Sequence, residues 1–326
     1  MGVLTAPTLE QVRRARQGFA EGLIKTPLIP IETGLDCDVR LKLENLQPIG
    51  SFKIRGVLSK LLTVGRNDVA HGLYTASAGN MAQAVAYAGR LFGIPAKAFV
   101  PDTAPRAKTD AVARLGAKVV PVPYDEWWQI MRDGGRDGER GLFVHPFADT
   151  DVMAGNGTIA LEILEDCPDV DTVLVPWGGG GLTCGIASAM RALKPSVRVY
   201  ACEVDVAAPL TASIAAGMPV QIKNKKTFID GIGGRGVFPD VWPLAQELVA
   251  GALVVTERQV ADAVTFMVNR AHVVAEGAGA APLAAAINAK ISPAPRHIVC
   301  VVSGGNIDSS VLSAILAGAV PNPSSS

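Results

Sequence analysis

The sequence lacks an excess of charge of either sign. Its 326 residues include 30 basic and 30 acidic side chains, which cancel at pH 7, and no block of like charge occurs. Nucleic acids and anionic membranes attract proteins through concentrated positive charge, so neither is an expected partner. A small molecule is the expected ligand.

Long hydrophobic runs are also missing. Hydrophobic residues make up 49% of the chain, but glycine, polar or charged residues interrupt them every few positions. A membrane-spanning helix needs about 20 consecutive apolar residues, and no stretch approaches that length. The segment from Met1 to Gln17 contains no apolar stretch of signal-peptide length, so we expect a cytoplasmic protein.

Cysteine and histidine are scarce. The cysteines are odd in number, scattered and never spaced as pairs of metal ligands, and the histidines are equally dispersed. This pattern argues against a disulfide framework and a zinc site, and it predicts buried, reduced thiols. The cysteines are Cys37, Cys167, Cys184, Cys202 and Cys300.

What the sequence does contain is a regular alternation of apolar, strand-like runs with helical ones. Such alternation is typical of doubly wound α/β proteins with mainly parallel sheets, and the length suits two domains. Thr8 and Gln11 predict a capping box that opens a first helix ending near Leu23, and a later helix is predicted over 158–165. Between residues 125 and 141 the alternation lapses, and the charged, glycine-rich stretch 132–141 predicts an exposed loop or a domain edge. The principal predicted strands cover residues 73–76, 96–100, 118–122, 172–175, 197–203 and 297–302.

An alternating strand leads to Lys53. Apolar and charged side chains alternate from Val39 to Glu44, which predicts a half-buried strand, followed by a Pro-Gly turn and a helix. Lys53 then lies in the first turn of that helix, where the positive end of the helix dipole lowers the pKa of an amine. A lowered pKa suits a nucleophilic lysine, but the spacing alone favours an ordinary exposed lysine.

Four consecutive glycines, Gly178 to Gly181, follow an apolar strand and precede a helix. Backbone N–H groups can converge there on an anion, and a phosphate is the natural occupant. A dinucleotide site with Glu203 as its ribose-binding acid is the alternative, but the third glycine of that fingerprint falls on Thr183 or Cys184. The string from Gly231 to Gly236 matches the fingerprint, yet no helix pattern follows it.

Two further polar turns follow strands. Ser77-Ala78-Gly79-Asn80 lies between a strand and a helix, so its N–H groups can also bind an anion. Ser303-Gly304-Gly305-Asn306 follows the last predicted strand. Taken alone, each segment also fits an ordinary turn or a helix cap.

Taken together and in this order, the segments resemble the fold-type II pyridoxal-phosphate enzymes, a group with threonine and serine dehydratases and serine racemases. The match comprises Ser51-Phe52-Lys53, the Ser77 turn, the glycine run with Leu182, and the Ser303 turn, and it covers nearly the whole chain. The resemblance implies a tryptophan synthase β-like fold of two open, doubly wound, mainly parallel α/β domains, with pyridoxal 5'-phosphate in the cleft. It implies a large domain from residues 1–65 and 147–326, a small inserted domain from 66–146, and a homodimer.

The resemblance also implies roles for individual residues. Lys53 would form the Schiff base with the cofactor and act in catalysis, the glycine run would bind the phosphate, and Asn80 would hydrogen-bond the cofactor's 3-hydroxyl. Ser303 would face the pyridine nitrogen, and Glu276 would lie near the ring. The full implied cofactor site is Phe52, Lys53, Asn80, Gly178, Gly179, Gly180, Gly181, Leu182, Gly231, Glu276 and Ser303. The residues implied around the substrate's carboxylate are Ser77, Ala78, Gly79, Met81 and Asn80.

The implied reaction is the dehydration and deamination of a β-hydroxy amino acid to a 2-oxo acid and ammonium. L-Threonine, L-serine and a bulkier β-substituted serine are all possible substrates. Three positions depart from relatives: Ala78 replaces the serine of racemases, Met81 replaces a frequent histidine, and Pro209 replaces an aspartate that binds a cation. The alanine at position 78 argues against racemisation. The methionine at position 81 predicts a more apolar rim near the substrate, and the proline at position 209 predicts no essential metal.

Several alternatives stay open at this point. A racemase with the same cofactor is the nearest, a nicotinamide-dependent oxidoreductase is more distant, and a non-catalytic cofactor carrier would need only the binding residues. Trp127 and Trp128 either wall a pocket for a bulky, aryl β-substituent or simply pack at a domain edge.

Overall fold

The protein was analysed as a computed structural model that describes residues 4–18 and 22–322. Its strands are β1 (Leu28–Pro30), β2 (Asp38–Leu43), β3 (Leu73–Ala76), β4 (Ala96–Pro101), β5 (Lys118–Val122), β6 (Leu142–Phe143), β7 (Thr172–Pro176), β8 (Arg198–Val204), β9 (Gly251–Val255) and β10 (His297–Val302). Its helices are α1 (Leu9–Gly18), α2 (Lys53–Leu61), α3 (Asn80–Phe92), α4 (Arg106–Arg114), α5 (Tyr124–Asp133), α6 (Thr150–Asp166), α7 (Gly181–Leu193), α8 (Pro209–Ala216), α9 (Trp242–Leu248), α10 (Glu257–Phe266), α11 (Gly277–Asn288) and α12 (Ser309–Leu316).

The strands form two sheets. The larger has the order β1-β2-β10-β7-β8-β9, with only the β1–β2 pair antiparallel, and the smaller has the order β5-β4-β3-β6 and is parallel throughout. The central strands β3 and β7 are buried along their whole length, as parallel strands covered by helices on both faces must be. The predicted doubly wound, mainly parallel α/β class is confirmed.

The smaller sheet comes from one continuous piece of chain. Its strands lie between residues 73 and 143, whereas the strands of the larger sheet come from 28–43 and 172–302. This arrangement agrees with an inserted small domain, and the bounds expected at residues 66 and 146 stay a prediction.

Two helices differ from the sequence prediction. Residues 124–133 form α5, where no helix was predicted, and this amphipathic helix buries Ile130 and Met131 and ends at Gly134 with a left-handed φ of 67°. The predicted helix over 158–165 begins eight residues earlier, at Thr150, because the Asp149 side chain accepts hydrogen bonds from the N–H groups of Asp151 and Val152.

Tertiary packing explains the glycine-rich start of α6, which local helix propensity disfavours. A Cβ at Gly155 would lie 2.2 Å from the carbonyl oxygen of Arg55, so only glycine lets α6 approach α2. Close packing of α6 on α2 therefore outweighs the low helix propensity of this glycine.

The first helix agrees with the prediction at its start. Thr8 N–H donates to Gln11 Oε1 over 2.8 Å, and Gln11 N–H donates to Thr8 Oγ1 over 3.2 Å, which confirms the capping box. The predicted end, near Leu23, is not tested: α1 is described to Gly18, Leu23 is not helical, and residues 19–21 lie outside the described part.

Strand β2 is more buried than predicted, because Lys42 on its charged face is buried, whereas Arg40 on that face is partly exposed as expected. Lys42, Glu44, Arg55 and Glu162 are all at most 1% exposed. Arg55 donates to both carboxylates over 2.7–2.9 Å, and Lys42 Nζ donates to Glu162 Oε2 over 2.5 Å. Two acids and two bases thus neutralise one another without solvent. They connect α2, the helix that begins at Lys53, to β2 and α6.

We predict that replacing Arg55 with methionine lowers the free energy of unfolding of the holoenzyme by about 3–5 kcal/mol, because two buried carboxylates lose their main partner. Urea unfolding measures the change. The matched control is Arg191→Met, which breaks an exposed pair with Glu247 and should cost at most about 1 kcal/mol. Equal losses in the two variants would contradict a special role for the buried group.

None of the helices in the described part is long and apolar enough to cross a membrane. All five cysteines are free thiols; four are buried and Cys37 is partly buried.

Candidate active site

A cleft of about 350 Å³ lies where strands of both sheets end. Ser77 follows β3, Pro176 ends β7 and Ser303 follows β10, and all three line it, as expected for ligand sites of open α/β sheets. The cleft brings together every site residue predicted from the sequence: Phe52, Lys53, Ser77, Ala78, Gly79, Asn80, Met81, Gly178, Gly179, Gly180, Gly181, Leu182, Gly231, Glu276 and Ser303. Their individual roles stay predictions.

Lys53 is the first residue of α2, as predicted. Its ammonium donates to the carbonyl oxygen of Pro146 over 2.6 Å and lies 4.9 Å from the centroid of the Phe52 ring. Burial lowers the pKa of Lys53 from 10.5 to about 8, against the opposing effect of the Glu276 carboxylate. A lysine in this setting is a competent nucleophile and base close to neutral pH.

His145 shapes the segment that receives Lys53, and sequence reasoning missed it. Its Nδ1 accepts hydrogen bonds from the N–H groups of Phe147 (3.2 Å) and Ala148 (2.8 Å), so its Nε2 carries the hydrogen that binds Met131 O at 3.1 Å. Burial lowers the pKa of His145 to about 4, which keeps the ring neutral. The ring therefore orders the Pro146 carbonyl and is not placed as an acid.

The glycine run lies against the same segment. A Cβ at Gly179 would lie 2.2 Å from the Phe147 ring, and one at Gly181 would lie 2.5 Å from the Phe147 carbonyl oxygen. Gly180 has a φ of +89°, which glycine adopts readily. The run is therefore a tight turn whose shape excludes side chains.

The same turn leaves donors free. Helix α7 begins at Gly181, and the first N–H groups of a helix have no partner within it. Leu182 packs its side chain into the core and so contributes only its backbone to the cleft. Unpartnered N–H groups at a helix N-terminus, without side chains in front, fit a phosphate.

The N-terminus of α3 presents a second anion site. Asn80 and Met81 are its first two residues, and their N–H groups are likewise free of helix partners. The Ser77 hydroxyl accepts from the Gly79 N–H over 3.2 Å, which fixes the turn. Met81 lines the cleft and is only 2% exposed, and the apolar rim expected there stays a prediction.

Three polar side chains form a chain of hydrogen bonds across the cleft. Asn80 Nδ2 donates to the Glu276 carboxylate over 2.9 Å, and Asn306 Nδ2 donates to Asn80 Oδ1 over 2.7 Å. Burial raises the pKa of Glu276 to about 7, although the hydrogen bond from Asn80 and the charges of Lys108 and Lys53 oppose the rise. Asn306 was part of a recognised motif, but its pairing with Asn80 was not predictable from sequence.

Lys108 and Asp230 form an ion pair at the edge of the cleft. Lys108 comes from α4, on the side of the smaller sheet, and Asp230 comes from a short 3-10 helix, Asp230–Ile232, on the other side. Asp230 directly precedes Gly231, which was predicted to line the cleft, whereas nothing in the sequence pointed to Lys108.

Of the two neighbouring tryptophans, Trp127 lines the cleft, whereas Trp128 packs on Phe238 with a ring separation of 5.6 Å. Both belong to α5, the helix that the sequence prediction missed.

Glu203, the acid considered above as a ribose ligand, caps α8. Its carboxylate accepts from the N–H groups of Leu210 and Thr211 over 2.7 and 2.8 Å, and from the Thr211 hydroxyl over 2.7 Å. No cluster of three or more His, Cys, Asp or Glu residues suited to a metal occurs within residues 4–18 and 22–322. The expectation of no essential metal stays a prediction.

The two sheets, the buried lysine and the two helix N-termini define an enzyme with a cleft for a small anionic compound. The chain belongs to the family of pyridoxal-phosphate dependent enzymes, whose model matches residues 20–304. Its cofactor is pyridoxal 5'-phosphate. Family membership confirms the resemblance noted in the sequence and sets aside the nicotinamide alternative.

Known proteins similar to this chain include ammonia-lyases and racemases. L-Threonine ammonia-lyase of Geobacter sulfurreducens is 41% identical over 285 residues, which are 86% of this chain and 70% of that protein. The structure of maize serine racemase matches with a TM-score of 0.88 at 30% identity, covering 96% of this chain and 98% of that one. The structure of a threonine deaminase from T.th. matches with a TM-score of 0.85 at 33% identity, covering 93% of this chain and 99% of that one.

Proposed function

We propose that the protein is an ammonia-lyase that converts a β-hydroxy amino acid, such as L-threonine or L-serine, into a 2-oxo acid and ammonium. One observation carries the proposal: the amine of Lys53, with its pKa lowered to about 8, shares a cleft with the N-termini of α3 and α7. Helix N-termini bind anions, and the cofactor and substrate bring a phosphate and a carboxylate. The activity named for the Geobacter relative supports this assignment.

The glycine run with Leu182 would hold the phosphate, and the turn from Ser77 to Met81 would hold the substrate carboxylate. Both sites consist of backbone N–H groups, so they bind without adding a titratable group. Phe52, Asn80, Gly231, Glu276 and Ser303, which line the cleft between these two sites, would surround the cofactor ring.

Lys53 has two tasks in this proposal. It would hold the cofactor, and once the substrate's amine takes its place its own amine would be free to act as a base. The cofactor supplies an electron sink for the negative charge that develops at the substrate Cα. Because burial lowers the pKa of Lys53 to about 8, a useful fraction of the amine is neutral near pH 7 and can remove the Cα proton. The β-hydroxyl leaves as water, and the released enamine hydrolyses to the 2-oxo acid and ammonium.

Racemisation with the same cofactor is the second candidate, because the neighbours include a serine racemase. A racemase needs a second acid on the opposite face of Cα, and Ala78 offers only a methyl group where racemases carry a serine. The dehydratase is therefore the better supported of the two.

Product analysis tests the proposal. Purified holoenzyme is incubated with L-threonine and with L-serine, and 2-oxo acid, ammonium and the D-amino acid are measured in the same samples. We expect equimolar 2-oxo acid and ammonium with little D-amino acid. Predominant D-amino acid would establish the racemase, and no product of either kind would leave a cofactor carrier.

The pKa of Lys53 predicts how fast apoenzyme takes up its cofactor. Only the neutral amine attacks an aldehyde, so the rate of attachment should rise about tenfold per pH unit below pH 8 and level off above it. The long-wavelength absorption of lysine-bound cofactor follows the reaction. Glu276→Gln removes a charge that raises this pKa, so its midpoint should move to lower pH. A midpoint near 10.5 in the parent enzyme would show an ordinary, exposed lysine.

Removal of divalent cations should leave activity unchanged, because the Glu203 carboxylate is occupied by the cap of α8. Dialysis against a chelator, followed by assay with and without added Mg²⁺ or Ca²⁺, tests this expectation. Loss of activity that either ion restores would contradict it.

We also propose that the protein is a cytoplasmic homodimer.

A further inference from the structure

Aromatic residues are few in this protein, yet many of them meet beside the cleft. The chain has four Trp, four Tyr and nine Phe residues, only 5% of its length. Ring contacts with centroid separations of 4.7–6.2 Å join eight of these residues, together with His145, in one continuous cluster. The aromatic members are Tyr74, Phe99, Tyr124, Trp127, Trp128, Phe143, Phe147 and Phe238.

This cluster reaches the cleft through two members, Trp127 and Phe147. The indole Nε1 of Trp127 is buried and has no hydrogen-bond partner among the residues the structure describes. The part of Trp127 that faces the cleft is therefore carbon surface. Met81 adds a third apolar side chain to the lining.

The aromatic lining is close to the reacting lysine. Pro146, whose carbonyl oxygen accepts from Lys53 Nζ over 2.6 Å, directly precedes Phe147. The residue after the one that binds the Lys53 amine is therefore aromatic. A group on the substrate's β-carbon, next to the Cα that this amine would reach, lies close to that aromatic surface.

The cleft offers no comparable surface to an acidic β-substituent. Lys108, a cation of the cleft lining, is paired with Asp230. Apolar surface and paired charge favour an apolar substituent, and rings pack on rings in offset or edge-to-face contacts.

From these contacts we propose that the preferred substrates are β-aryl serines, with the aryl group packed against Trp127 and Phe147. The inference rests on the function proposed above and narrows it to one substrate class. For β-phenylserine the balanced reaction gives phenylpyruvate and ammonium: the Cα proton and the β-hydroxyl leave as water, and hydrolysis of the enamine returns one water.

The test compares L-threo-β-phenylserine with L-serine and L-threonine in wild-type holoenzyme, with phenylpyruvate, the other 2-oxo acids and ammonium as readouts. We expect kcat/KM for β-phenylserine to exceed that for L-serine by about tenfold or more, since a well-packed aromatic contact contributes on that scale. A kcat/KM for L-serine about tenfold above that for β-phenylserine, with both deaminated, overturns the inference and leaves the proposed function standing. If no substrate yields a 2-oxo acid, the proposed function fails and this inference falls with it.

A pair of variants locates the effect. Trp127→Leu should lower kcat/KM for β-phenylserine about tenfold and change that for L-threonine less than about threefold. Trp128→Leu is the matched control, because Trp128 is the next residue of the same helix and belongs to the same aromatic cluster but does not itself line the cleft. Equal effects of the two changes would overturn the assignment of Trp127. If Trp127→Leu does not fold, judged by its thermal unfolding, the wild-type ratio of kcat/KM decides alone.

Discussion

Replacing Lys53 with alanine is expected to reduce turnover of the preferred amino acid by about 10⁴-fold or more. A positioned general base alone contributes about 10²–10⁴, and the alanine variant also loses the amine that holds the cofactor. The long-wavelength absorption of lysine-bound cofactor should disappear together with the activity. Steady-state assays and absorption spectra of the purified variant measure both losses.

The matched control is Lys60→Ala on the same helix. Lys60 pairs with Asp149 and Asp151 over 2.8 and 3.1 Å and does not line the cleft, so its removal should leave both the spectrum and turnover nearly unchanged. A Lys53→Ala enzyme that kept a tenth of the parental activity would refute the assigned role. Lys108, another lysine of the cleft lining, would then be the candidate for that role.

Adding a single methyl group at Gly181 is expected to weaken cofactor binding by about ten- to a hundredfold. The new Cβ would lie 2.5 Å from the backbone carbonyl oxygen of Phe147, so the N-terminus of α7 or the segment from His145 to Ala148 must shift. Overpacking of this kind costs about 1–3 kcal/mol, which corresponds to that loss of affinity if the shift falls on the phosphate site. Titration of apoenzyme with pyridoxal 5'-phosphate gives the dissociation constant.

Helix propensity sharpens this prediction. Alanine is the better helix former by about 1 kcal/mol, so Gly181→Ala should help α7 if the contact with Phe147 were unimportant. Gly234→Ala serves as the control, because a Cβ there meets open space. Parental affinity in Gly181→Ala would show that the turn has room for a side chain and would contradict the described geometry.

The sequence allowed prediction of much of the site because parallel strands bring distant segments to one edge. Strands β3, β7 and β10 were predicted within a residue of their observed bounds, and the polar turns that follow them meet in one cleft. The position of Lys53 at the start of α2 was predictable from the change of period after β2.

What the sequence could not show are pairings between residues far apart in the chain. Glu276 binds Asn80 across 196 positions, and Arg55 binds Glu162 across 107. Nothing in the neighbouring sequence of these residues indicates their distant partners. The charged residues Lys42 and Glu44 were therefore assigned to the exposed face of a half-buried strand, although both are fully buried.

The missed helices have local explanations. Helix α5 has only ten residues, and its charged neighbours concealed the buried pair Ile130 and Met131. The start of α6 contains Gly155, a poor helix former that is needed for contact with α2. In both cases tertiary packing outweighed the local pattern.

Covalent mapping of the cofactor tests the central claim most directly. Borohydride reduces the carbon–nitrogen double bond between a lysine and the cofactor aldehyde to a stable amine, and peptide mass analysis of the digested holoenzyme then shows which lysine carries it. We expect a single modified lysine, Lys53. Modification of Lys108 instead, or the absence of any modified lysine in enzyme that turns over, would contradict the assignment of Lys53 as the residue around which the cleft is built.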